Sequence, residues 1–333
     1  MEQFVKMCRE IGAMPDYVQG GGGNASCKTD GNIMAIKASG FALKDITETS
    51  GYVNVDYLKI KEYHKDVSES EKKKREEEAS AFNLKCTIPS ADGKTLRPSV
   101  ETGFHSIMKK YVMHTHPVYT NVLTCAQGGK KKAKEIFEGT CFVWAPYMNP
   151  GFMLTLAISD AISKFEKKNG EYPKVIFLEN HGLVTTSDDP DECLRLHIKT
   201  NETIKSKLGL SDFYQDLKLQ KAGDGYKSSA PFIGEFLSKY GMNTMMSMAL
   251  YPDQLVYLYN GLKDGKISFE NGTMFFKTGE NEARAILETF AAVVYIIESL
   301  HKLNIPVHPM HYIARDFINN WESEKYRRKV TAK

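Results

Sequence analysis

Val112-Met113-His114-Thr115-His116-Pro117 is the most informative stretch of this 333-residue chain. Its apolar start and alternating pattern read as a strand, and residues two apart on a strand point to the same face. The imidazoles of His114 and His116 then stand side by side, with Cα atoms roughly 7 Å apart, so both can reach one cation. Pro117 ends the strand and opens the next helix. The pair therefore sits at a strand end, where layered α/β proteins open their sites.

A second apolar run, 174–178, leads into Glu179-Asn180-His181-Gly182, which places His181 on a tight turn beyond another strand end. Three neutral imidazoles with one open position make a Lewis-acid site for zinc or a similar divalent ion. An isolated HxH is more often just two strand residues. Both signals together, in a chain with nine histidines, favour a metal centre.

Outward from these residues, strands at 111–115, 141–145 and 174–178 alternate with helices at 101–110, 152–168 and 191–208. Asp189 and Pro190 supply a helix start. The alternation predicts an α/β layered domain. Upstream, an amphipathic helix precedes GGGNAS (21–26), and runs at 25–28 and 33–38 flank the hairpin turn Asp30-Gly31-Asn32. The charge run at 61–78 reads as a solvated helix or surface insertion. From 209 the texture changes. Residues 266–277 suit a hairpin around Asn271-Gly272, an apolar-periodic helix covers 283–303, Pro306 and Pro309 break it, and a polar helix follows. We expect a catalytic domain over 1–208 and a mainly helical extension over 209–333, packed on the first domain. His308 and His311 are expected to be structural or surface groups.

Net charge is +3 and 42% of residues are hydrophobic, which gives no electrostatic reason to expect nucleic acid. No apolar run approaches the length needed to cross a membrane, and the N-terminal helix carries charges where a signal peptide would not. The six cysteines are scattered without a CxxC pair, as expected of reduced thiols in a cytoplasmic protein.

Five motifs in order, GGGNAS (21–26), KASGFALKDI (37–46), RPSVETGFH (97–105), HTHP (114–117) and ENHGLV (179–184), resemble the class II aldolase/adducin family over residues 19–207. The resemblance implies a central β-sheet sandwiched between helices, metal ligands at His114, His116 and His181, and Glu101 as catalytic acid/base. It maps a phosphate pocket onto Asn24, Ser39, Gly40 and Ser99, and implies a homotetramer with sites at subunit contacts. Many phosphate-binding members carry a second small hydroxyl residue after the one matching Ser99, where this chain has Val100. The extension loosely resembles that of longer proteins in which a rhamnulose-phosphate aldolase-like region is fused to a short-chain dehydrogenase.

Glu101 and His105 lie four apart on a helix and share a face. Glu101 could simply be a first-turn carboxylate capped through Ser99, and His105 a packed or supporting group. GGGNAS could be a plain flexible loop, but its glycines also let backbone N–H groups approach an anion, and Ser39, Gly40 and Ser99 could add donors. Tyr147 is a candidate proton donor reaching a neighbouring subunit's site. The leading expectation is a zinc-, manganese- or cobalt-dependent lyase cleaving a small ketose phosphate through a metal-stabilised enediolate. The alternatives are an epimerase, dehydratase or decarboxylase on the same fold, or a non-catalytic adducin-like interaction module.

Overall fold

The computed structural model describes residues 1–89, 96–214, 217–270 and 272–311. Eight short strands form one sheet: β1 (Asn24–Lys28), β2 (Ile33–Lys37), β3 (Tyr52–Asp56), β4 (Thr87–Ile88), β5 (Tyr111–Thr115), β6 (Phe142–Ala145), β7 (Val175–Leu178) and β8 (Gly182–Ser187). Their order is β4-β3-β2-β1-β5-β8-β7-β6, antiparallel throughout except for the parallel pair β6–β7. The expected hairpin joins β1 to β2, with Gly31 in the left-handed conformation its turn requires. Strands β3 and β8 were not expected. Every residue of β8 is buried, so it shows no polar/apolar alternation to read.

Period-two geometry sorts β5 between two cores. Tyr111 and Met113 pack with Phe4, Cys8 and Ile11 of α1 (Glu2–Gly12) and Leu194 of α8 (Pro190–Leu208). Val112 packs on the other face with Phe104 of α4 (Thr102–Ile107) and with Leu154 and Ile158 of α7 (Phe152–Asn169). The sheet is thus covered on both faces by helices. The helix expected over 101–110 is shorter, because residues 109 and 110 already lead into β5. The charge run lies in α2 (Tyr57–Tyr63) and α3 (Glu69–Lys85); Ser68 and Glu71 form a capping box for α3, and of its residues only Ala79 and Asn83 are buried.

Beyond residue 208 the extension holds more strand than expected. β9 (Gln220–Ala222), β10 (Gly225–Ser229), β11 (Ile267–Glu270) and β12 (Thr273–Phe276) form a second antiparallel sheet, ordered β11-β12-β10-β9. The β11–β12 hairpin matches the expected one, although Asn271 itself lies outside the described residues. Helix α12 (Glu280–Lys302) is almost wholly buried along its length. One core joins its Phe290, Val293 and Ile297 to Val118, Val122 and Leu183 of the first domain. The polar helix expected at the end lies outside the described residues, which stop at His311. No described helix is long and apolar enough to cross a membrane.

Candidate functional site

His114 and His116 follow Val112 on the face of β5 turned toward α4. The register sets His114 opposite Asn24 on β1 and Val184 on β8. The turn from β7 to β8 uses Asn180 at φ 50° and folds His181 over the end of β5. All three imidazoles are buried, and their ring centroids lie 4.9, 4.9 and 5.0 Å apart. One ring nitrogen from each lies within 4.8 Å of the others.

The hydrogen bonds fix two of the tautomers. His114 Nδ1 is 3.0 Å from the Leu183 carbonyl, and His116 Nδ1 is 2.5 Å from Asp253 Oδ2. A carbonyl can only accept, and so can an ionised carboxylate, so both Nδ1 atoms donate. The Nε2 lone pairs then face one another at 3.2 Å. Two nitrogens bound tetrahedrally to one zinc ion stand about 3.3 Å apart, given Zn–N bonds of about 2.05 Å. The donor set therefore fits a divalent ion. Burial, reinforced by His181 and His116, holds the His114 pKa well below the usual imidazole range, which keeps the ring in its ligating form.

Glu101 lies against the same nitrogens. Its Oε1 is 3.3 Å from His181 Nε2 and its Oε2 is 3.6 Å from His114 Nε2. Asn24 Nδ2 donates to Glu101 Oε2 at 2.6 Å and to Ser99 Oγ at 3.2 Å. Behind Asn24, His105 Nε2–H donates to Asn24 Oδ1, and Ser26 Oγ–H donates to His105 Nδ1 at 2.7 Å. Burial lowers the His105 pKa to about 3, so this chain of partners stays neutral. His105 thus has the supporting place its sequence position suggests. Asn24, expected as an anion donor, directs its amide hydrogens at Glu101 and Ser99.

The other expected contacts converge on one cleft. The bridge from Ala38 to Pro98 and a 2.8 Å bond from Ser39 N to the Arg97 carbonyl draw Ser39 and Gly40 to Ser99. Glu101, His116 and His181 line the same cleft, as does Val100. Lys37 also lines it. This lysine is only 4% exposed, and its Nζ donates to the Phe41 carbonyl at 2.7 Å. Tyr147 is not among the lining residues. Its hydroxyl is buried without a hydrogen-bond partner among the described residues, and burial pushes its pKa far up.

Two residues of the site escaped the sequence reading. Lys37 opens a quoted motif, and a lysine at the end of the buried run IMAIK is the signal that marks it. Asp253 lies in the extension with no motif around it.

The family model for the Class II Aldolase and Adducin N-terminal domain matches residues 2–208. A curated Bacillus subtilis (strain 168) protein named as an uncharacterized oxidoreductase, YuxG, is 31% identical over 202 residues. That match covers 58% of this chain, and the chain spans only 27% of that relative's length. The N-terminal class II aldolase domain of a conserved Thermoplasma acidophilum protein superposes with a TM-score of 0.52 at 25% identity, covering 62% of this chain and 92% of that one. An L-fuculose 1-phosphate aldolase from Glaciozyma antarctica PI12 is more distant, with a TM-score of 0.41 at 16% identity over 62% of this chain and 71% of its own. With the family model spanning most of the chain and the histidine triad in place, this protein belongs to the class II aldolase and adducin family.

Proposed function

We propose that the protein is a metal-dependent carbon–carbon lyase that cleaves a small ketose phosphate by retro-aldol chemistry. The observation that carries this reading is the contact of the Glu101 carboxylate with the ring nitrogens of His114 and His181, in a cleft that also holds Ser39, Gly40, Ser99 and Lys37. His114, His116 and His181 would hold the ion, with zinc first and manganese or cobalt as alternatives. When bound, the ion would supply Lewis acidity toward a carbonyl oxygen.

Retro-aldol cleavage begins with loss of a hydroxyl proton and ends with proton return to carbon. Glu101 would move that proton, a role supported by the Asn24 amide, which donates to its carboxylate and would keep it aimed. Ser39, the Gly40 backbone and Ser99 would bind the phosphate. The Lys37 charge offsets the hydroxyl that Val100 lacks. Tyr147 would be a second proton donor only in a homotetramer whose contacts bring its hydroxyl, buried in the single chain, to a neighbouring site. A second reading, an epimerase, dehydratase or decarboxylase, follows from how closely Glu101 approaches the histidines, since a carboxylate there could serve as a fourth ligand. Five of the six cysteines are buried and all six are free, which suits the reducing cytoplasm.

A ketose-phosphate panel tested with zinc-, manganese- and cobalt-loaded protein should release a triose phosphate from at least one member. Removing the phosphate from that substrate should lower kcat/KM. Absence of cleavage with every ion would overturn the lyase reading, and an unchanged kcat/KM would overturn the phosphate pocket.

A further inference from the structure

The family match ends at residue 208, yet the buried carboxylate behind His116 comes from residue 253. We infer that the segment 249–253 of the extension is part of the metal centre, with Asp253 as the positioning residue that holds His116. This rests on the metal reading above.

Four observations support it. First, Asp253 is fully buried and meets His116 Nδ1 at 2.5 Å, so Nε2 is turned toward His114 and His181. Second, the same segment holds the turn bearing His181. Asn180 Nδ2 donates to the Leu250 carbonyl at 3.0 Å and to the His308 carbonyl at 2.7 Å. Third, the glycine-rich loop is shaped around the Asp–His pair. A Cβ on Gly22 would lie 2.5 Å from Asp253 Oδ2, 3.0 Å from the Gln19 carbonyl and 3.3 Å from His116 Nδ1. Gly22 has no left-handed φ to explain its identity, so close approach explains it. Fourth, the segment is braced. Leu250 N donates to Gln254 Oε1 at 2.8 Å, and Met310 N donates to the Ala249 carbonyl at 2.7 Å. The wide turn beginning at Gln254 is a rare helix form that recurs beside functional sites.

A carboxylate on the far nitrogen of a metal-bound imidazole fixes its tautomer and orientation and raises its basicity. Loss of such a partner typically costs about 10–100-fold in metal affinity. The extension therefore does more than cover the first domain. It sets the ligand geometry at two of the three histidines.

The test uses the full chain, stripped of metal, and titrates zinc and cobalt(II) against a competing chelator, with the cobalt visible band as a second readout. Wild type should bind one ion per chain. Asp253→Ala should bind roughly 10–100-fold more weakly, with a shifted cobalt band. Asp253→Asn keeps an acceptor but loses the charge, so it should lose less. Gly22→Ala should weaken binding in the same direction. Wild-type affinity and an unchanged cobalt band in both Asp253 variants would overturn the inference, even if their metal-free melting temperatures fell, because that pattern marks a purely structural carboxylate. If Asp253→Ala does not fold, Asp253→Asn and Gly22→Ala decide by the same measure. If wild type binds neither ion, the metal reading fails and this inference falls with it, an outcome separate from wild-type binding without an effect of the variants.

Discussion

Replacing Glu101 by glutamine removes a proton acceptor while keeping its shape, and the structure indicates what else should change. The Asn24 amide donates to Oε2 at 2.6 Å, and a glutamine oxygen in that place can still accept it. The glutamine nitrogen then falls where Oε1 stands, 3.3 Å from His181 Nε2. It can hydrogen-bond that nitrogen in the metal-free protein but must release it when metal binds, so affinity should fall modestly. Metal content at saturating ion should stay near wild type, because three imidazoles remain. The chemical step loses its base, and a positioned acid or base is worth roughly two to four decades. That corresponds to about 2.7–5.4 kcal/mol of transition-state stabilisation. The assay is coupled triose-phosphate release with the substrate found in the ketose-phosphate screen, alongside elemental analysis of the same samples. The kcat of Glu101→Gln should fall by that factor with KM little changed. Loss of bound metal at saturation would make Glu101 a ligand and favour the second reading. Near-normal kcat with metal intact would refute the argument, and Tyr147 would become the residue to test.

His116→Ala should lose most of its metal by elemental analysis while retaining its circular dichroism spectrum; equal metal in variant and wild type would remove the triad assignment. Stability should fall as pH drops from about 6.5 toward 4. Burial lowers the pKa of His64 to about 4 and those of His105 and His197 to about 3. The unfolded chain takes up those protons below about pH 6.5 while the folded chain does not, so each histidine contributes up to about 1.4 kcal/mol per pH unit of loss inside that window and none above it. Denaturant midpoints measured at pH 7.5 and 5.0 should differ accordingly, and equal midpoints would contradict this account. Light scattering at micromolar concentration should give the mass of a tetramer, and a monomer would remove the subunit-contact role proposed for Tyr147.

The sequence and the structure agree where the chemistry is local. The HxH strand, the His181 turn, the Asp30-Gly31-Asn32 hairpin and the charged surface helix each carry their cause within a few residues. A period-two pattern, a glycine at positive φ and a capping box need no distant partner. They disagree where the cause is remote. β8 shows no alternation because helices bury both sides of the sheet, and such a strand presents no polar face to read. β9 and β10 are short and expose charged or small side chains; β10 gains its place by pairing with β12 of the hairpin, and β9 by pairing with β10. In these cases neighbouring elements determine what the local sequence does not.

The same division runs through the site, and it bears on where the working unit ends. His114, His116, His181 and Glu101 stand in motifs that can be read without knowing the fold. Asp253 stands in LYPDQLV, where nothing nearby suggests a metal, and it is separated from His116 by 137 residues. Glu288 is equally remote in sequence, yet it accepts the Gly20 N–H at 2.6 Å from within α12. The glycine loop is therefore held from the extension at two points, by Glu288 at Gly20 and by the close approach of Asp253 at Gly22. A chain cut at 208 would keep every motif that identifies the family. It would also expose Val118, Val122 and Leu183, which now pack against α12, and leave His116 without its carboxylate. The residues that announce the chemistry and those that hold it in place thus lie on opposite sides of the boundary that the sequence pattern draws.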